Sequence, residues 1–156
     1  MFLTMRKLRR FPIVLYRLLR IGYLRFRGVE IGKNVWISPG AKIDTAGGRI
    51  VICDDSGMAH GSVILSHDMM IAYTRPGSKL YGRTFIGRNV HIGVNAVILP
   101  NVSIGDNTII GAGVVVAKDV PANSIVVPAV PRVMKDYQRT FLKKGPATPR
   151  PEGSAL

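Results

Sequence analysis

The chain is poor in most of the devices that hold small proteins together. Its 156 residues include one cysteine, one tryptophan and 7% aromatic residues. A lone Cys53 closes no internal disulfide, and no Cys/His spacing of a zinc site occurs. Acidic residues are scarce as well: 9 Asp and Glu stand against 22 Lys and Arg, for a formal net charge of +13. No apolar run reaches the ~18 uninterrupted residues of a spanning helix. Arginines interrupt the N-terminal run, and no small-residue cleavage site of a secretory signal follows it. These absences fit a reducing cytoplasm. The positive charge carries no nucleic-acid motif and no aromatic–basic interleaving for base stacking, so nucleic acid is not the expected partner. The length fits one domain, and 47% hydrophobic residues suffice for a core.

What the chain has is repetition. From Ile86 to Pro121 it reads IGRNVH, IGVNAV, ILPNVS, IGDNTI, IGAGVV, VAKDVP. Ile86, Ile92, Ile98, Ile104, Ile110 and Val116 lead the hexads. Val90, Ala96, Val102, Thr108, Val114 and Val120 sit four residues after each lead. A period of six fits no helix but is a multiple of the strand period of two. Each hexad therefore reads as a short strand and a tight turn, with three hexads to a triangular coil and the coils stacked into a solenoid. The repeat extends backwards through IGKNVW, ISPGAK and IDTAGG, then slips by about three residues before ICDDSG, MAHGSV and ILSHDM. The phase predicts coils at 31–51, 52–69, 86–103 and 104–121, with a partial fifth to Val127. An extruded loop at 70–85, containing YTRPGSKLYGR, is polar and suited to binding an acceptor.

Two segments flank the expected solenoid at 30–130. Residues 1–29 read as a basic amphipathic helix, with Pro12 expected to split it and leave a longer piece at 12–27. Arg6, Arg10, Arg17, Arg20 and Arg27 share about a third of the helical circle, and Leu8, Leu15, Leu18 and Leu19 lie largely elsewhere. This helix has two readings: a cap over the open first coil, or a peripheral contact in which the arginines meet an anionic membrane. Residues 131–156 read as a short helix and a proline-rich tail.

The stretch FIGRNVHIGVNAVILPNVSIGDNTIIGAGVVVAKDVP, followed by Pro131-Arg132-Val133, resembles the C-terminal half of the hexapeptide-repeat O-acetyltransferases, especially the maltose, galactoside, nodulation and exopolysaccharide group. Upstream, GSVILSHD at 61–68 is similar to the stretch that carries that group's catalytic histidine. The resemblance implies a left-handed parallel β-helix of four to five coils. It also implies acetyl-CoA as donor, no metal, a sugar or glycan hydroxyl as acceptor, and a homotrimer whose donor groove lies between subunits. The chain departs from the pattern at His91, where tryptophan is usual, and at Ala129-Val130-Pro131-Arg132, where Gly-Asn-Pro-Ala is common.

Acetyl transfer to a hydroxyl needs a base, stabilisation of the oxyanion and departure of a thiolate. An imidazole suits the first task. His67 is the candidate: it stands late in its hexad beside the 70–85 interruption, in the family's SHD context. Asp68, next to it on one strand, points elsewhere, so a backbone carbonyl or another carboxylate is expected to orient the ring. Asn95 is a candidate for binding acceptor or thioester, and equally a turn residue. Backbone groups of Gly93, Gly111 and Ala112 are candidates for the pantetheine amides, and Lys118 and Arg132 for the phosphates. Three alternatives stand beside this reading: N-acetylation of an amino sugar nucleotide, a silent scaffold, and a γ-class carbonic anhydrase. The last is weakened because His60, His67 and His91 share no hexad position.

Overall fold

A computed structural model describes residues 2–74, 77 and 80–129. After a long helix, α1 (Phe2–Phe26), the chain makes four full turns of a triangular solenoid and part of a fifth. The first turn holds β1 (Glu30–Ile31), β2 (Trp36–Ile37) and β3 (Lys42–Ile43), and the second β4 (Arg49–Ile52), β5 (Gly57–Met58) and β6 (Val63–Ile64). The third holds β7 (Arg83–Ile86), β8 (His91–Ile92) and β9 (Val97–Ile98), and the fourth β10 (Ser103–Ile104), β11 (Ile109–Ile110) and β12 (Val115–Val116); β13 (Ile125–Val126) belongs to the fifth. Three parallel sheets form the sides: β1-β4-β7-β10, β2-β5-β8-β11-β13 and β3-β6-β9-β12. The hexads stack in register, Ile31 on Ile52 and Ile86 on Ile104, with Ile64 on Ile98 along another side.

Burial follows the repeat. Ile52, Met58, Ile64, Ile86, Ile98, Ile104 and Ile110 fill the axis, and Val35, Ala41, Val90, Ala96 and Val102 fill the positions four later. Turns fall three residues after the lead, where Asn34, Asp55, Asn89, Asn95, Asn101 and Asn107 all adopt positive φ. Asparagine tolerates that conformation better than other side chains with a Cβ. Along one corner the amides also form a ladder, Asn89 Nδ2 donating to Asn107 (3.0 Å) and Asn107 Nδ2 to Asn123 (3.2 Å).

The arginines of α1 have a structural purpose that the helical wheel conceals. In each later coil the lead carbonyl of the first side accepts from the coil before: Ile52 O from Gly32 N, and Ile86 O from Cys53 N. Ser62 O and Ala96 O are engaged likewise, by Lys42 N and Val63 N. The equivalent carbonyls of the first coil, Ile31 O and Ala41 O, have no preceding coil. Arg25 Nη2 donates to Ile31 O (2.7 Å), and Arg20 donates to Ala41 O and to Ser38 O. Arg17 stacks 5.3 Å over the Trp36 ring, and Arg27 reaches Thr45 O. Leu24 and Val29 complete the core below the first coil. The cap is present. Arg17, Arg20 and Arg27, expected as the lipid-facing stripe, are turned to the solenoid instead.

Three boundaries also differ from expectation. α1 continues through Pro12: proline's φ of about −65° is a helical value, and the lost bond and the ring's clash with the carbonyl four residues back, ~3 kcal/mol, do not end the helix. The 70–85 excursion opens with a helix, α2 (Met69–Thr74), rather than a loop, and Asp68 Oδ1 caps it by accepting from Met70 N (2.9 Å). The solenoid resumes at Arg83, because β7 pairs with β4 along all four of its residues. The expected C-terminal helix and tail lie outside the described residues.

Candidate active site at the His67 corner

His67 occupies the turn position of its hexad, three after Ile64. It does not adopt the positive φ of the asparagine turns. The chain leaves the solenoid here instead of turning, and it returns so that Tyr81 bridges His67 in antiparallel fashion. Tyr81 lies 6.3 Å from the imidazole, centroid to centroid, tilted by 46°.

One coil earlier, Asp44 holds the ring. Its Oδ2 lies 2.5 Å from His67 Nδ1. The same oxygen accepts from Ser66 Oγ (2.6 Å) and Ser66 N (2.9 Å), and Oδ1 accepts from Ala46 N (2.9 Å). Burial by itself raises the carboxyl pKa, but the hydrogen bonds from Ser66, His67 and Ala46 outweigh it and lower the pKa to about 2. An ionised Asp44 only accepts hydrogen bonds, so Nδ1 carries the proton between them and Nε2 keeps a lone pair. This is the base-plus-orienting-carboxylate arrangement of nucleophile activation.

Tight backbone packing builds the support. At Gly48 a Cβ would lie 2.7 Å from Gly82 O and closer still to Ser66 O. At Gly47, with φ 137°, it would lie 3.0 Å from the Tyr81 ring. The slip of phase between Ile43 and Ile52 is therefore the loop that carries Asp44 and lets Ser66 and Tyr81 close over it. Gly48→Ala is expected to cost ~1–3 kcal/mol in urea unfolding and to lower turnover by displacing Ser66. Unchanged stability would show that the loop yields.

A cleft of about 490 Å³ opens beside the pair. Arg20, Tyr23 and Leu24 of α1 form one wall, and Lys42, Val63 and Leu65 of the solenoid form the other. The helix is thus both a cap and a boundary of the site.

The other candidates divide between corners. Lys118 is exposed and follows β12, at the same corner as His67 and two coils later, about 10 Å away along the axis at ~4.8 Å per coil. Gly93, Asn95, Gly111 and Ala112 lie at a different corner, after β8 and β11. Asn95 sits in a left-handed turn at φ 55°, its N donates to His60 O, and its side-chain oxygen covers Gly61. Gly93 N and Gly111 N are engaged by Ile110 O and Val126 O of the next coils. A Cβ on Gly93 would press within 2.7 Å of Ala112 N, so close stacking of coils is one reason for that glycine. Arg132 lies outside the described residues.

The remaining histidines stand apart. His60 Nδ1 lies 2.6 Å from Pro39 O, and His91 projects from the second side beside Gly57 and Ile109. Among the described residues no three His, Cys, Asp or Glu side chains are grouped to hold a metal ion.

Comparison with known proteins follows the same lines. The bacterial transferase hexapeptide family (six repeats) matches residues 83–118. The galactoside O-acetyltransferase of Escherichia coli strain K12 is 32% identical over 68% of this chain, and the chain spans 63% of that relative's length. The solved structure of a maltose O-acetyltransferase from Clostridium difficile 630 is 32% identical with a TM-score of 0.54, covering 63% of this chain and 53% of that one. The serine acetyltransferase isoform 3 of Entamoeba histolytica, at 21% identity and a TM-score of 0.51 over 76% of this chain and 39% of that one, shares the fold.

Proposed function

We infer that this chain belongs to the hexapeptide-repeat transferase family, whose model matches residues 83–118, and that its solenoid is the left-handed parallel β-helix. It is an O-acetyltransferase that moves an acetyl group from acetyl-CoA to a hydroxyl of a sugar or polysaccharide precursor. The observation that carries this reading is the His67–Asp44 pair beside an open cleft. His67 Nε2 takes the proton from the acceptor hydroxyl as its oxygen attacks the thioester carbonyl. Asp44 holds the ring and balances the imidazolium charge while the oxyanion forms. The imidazolium then gives the proton to the departing thiolate. The donor supplies the activated acyl carbon and the leaving sulfur, and the chain supplies proton transfer and position.

The division between corners supports a site shared by two copies. His67 and Lys118 lie on one edge of the triangle, while Gly93, Asn95, Gly111 and Ala112 lie on the next. Two solenoids side by side bring those edges together, and a closed ring of three pairs each His67 edge with a neighbour's Gly93 edge. Gly93 and Gly111 have already spent their N–H groups, so pairing with the pantetheine amides falls to other backbone atoms of that edge. Light scattering under assay conditions is expected to give three times the 17.0 kDa chain mass. A monomer with full activity contradicts the shared site.

Thiol release from acetyl-CoA across sugars, glycolipids and amino sugars tests the activity. Release that depends on a hydroxyl acceptor and yields an alkali-labile ester is the expected result. A stable amide formed only on amino sugars would shift the reading to N-acetylation, and no release with any acceptor would overturn it.

A further inference from the structure

Arg17, Arg20, Arg25 and Arg27 of α1 are turned to the solenoid, and this leaves an apolar face turned out. At 100° per residue Leu24, Arg17 and Arg20 lie on the docked side, while Leu15, Leu18, Leu19 and Phe26 lie opposite. All four are exposed: Leu18 by 62%, Leu19 by 66% and Phe26 by 87%, with Leu15 close to half. Gly22, between them on the same face, has open space above it. Arg25 borders this arc on one side and Arg27 on the other, each engaged by a first-coil carbonyl. Tyr16 and Tyr23, both half exposed, stand along the second border.

We propose that α1 lies flat in the headgroup region of an anionic lipid bilayer, inserting Leu15, Leu18, Leu19 and Phe26, with the solenoid on the aqueous side. The pattern is that of an interfacial helix: an uncharged apolar arc with aromatic residues along one flank. Among the described residues no helix is long and apolar enough to cross a membrane, so the surface and not the interior is the place for α1. The net charge of +13 complements anionic lipid. A second copy is a poorer fit. A paired helix needs apolar residues at heptad spacing, and the seam through Leu15 and Leu18 arrives at Gly22 and then Arg25. Because Arg20, Tyr23 and Leu24 of the same helix wall the His67 cleft, this orientation sets the cleft near the bilayer surface. The inference is independent of acetyl transfer, since lipid binding is read without turnover.

Flotation of the full chain with vesicles of phosphatidylglycerol and phosphatidylcholine tests it. Wild-type protein is expected to float with these vesicles at low salt and to float less with phosphatidylcholine alone. Leu18→Glu with Leu19→Glu is expected to weaken binding about tenfold or more, with unchanged melting temperature and mass. Leu19→Trp is expected to add a blue-shifted emission on vesicle addition, above the signal of Trp36. The proposal is overturned if wild type stays with the soluble fraction at low salt, or if the emission of the Leu19→Trp variant does not shift. It is equally overturned if the double substitution changes oligomer mass and leaves vesicle binding intact, which would assign the face to a second copy.

Discussion

His67→Ala should lower turnover by ~10²–10⁴-fold, the range for loss of a general base, with the fold intact. The side chain is partly exposed, and Asp44 holds it. Its loss leaves Asp44 with the Ser66 and Ala46 hydrogen bonds, so thermal stability should change little. His60→Ala and His91→Ala serve as controls. His60 pairs with a backbone carbonyl at another corner and His91 stands on the outer face of the second side, so neither belongs to the cleft. A large loss in either control with full activity in His67→Ala moves the base elsewhere.

Asp44→Asn should lower kcat by about 10²-fold or more, with little change in KM for acetyl-CoA. An amide keeps the volume but not the charge, so the imidazolium formed during attack is no longer balanced. The amide nitrogen can also donate to Nδ1 and stabilise the wrong tautomer. A pH signature accompanies this. The Asp44 pKa in the fold, about 2, lies below the ordinary carboxylate value of ~3.9. Its contribution to stability is therefore complete above pH ~4 and is lost as pH falls through about 2. Wild type should lose stability steeply across that acid window, and Asp44→Asn should lack that part of the slope. Equal acid unfolding curves would show that Asp44 is not held as described.

The solenoid was legible because the hexad constrains chemistry at fixed positions. Ile86 through Val116 repeat one inward site, and Asn89, Asn95 and Asn107 repeat one turn site. The corner at His67 was legible as an irregularity of the stack, since the interruption of phase follows within three residues. Asp44 was not, although a signal existed. It follows the lead of a third-side hexad, where the next three coils have Leu65, Leu99 and Ala117. The nearby slip concealed its register with His67, 23 residues later. The arginines of α1 were visible as a stripe, but a helical wheel cannot show that Ile31 and Ala41 carbonyls lack a coil below them. That fact belongs to the stack. Once the carbonyls claim the arginines, the leucines and Phe26 become the outer face, and the sequence reading of the helix inverts.

In the proposed reaction the His67–Asp44 corner directs transfer of an acetyl group from a thioester to an oxygen. Its most direct test is the stoichiometry of thiol released and acetyl ester formed in one reaction of the purified full chain with acetyl-CoA and a sugar or glycolipid acceptor. The account predicts one ester on an acceptor oxygen for each thiol, abolished together in His67→Ala. Thiol release without modified acceptor, or equal ester formation by wild type and His67→Ala, would contradict it.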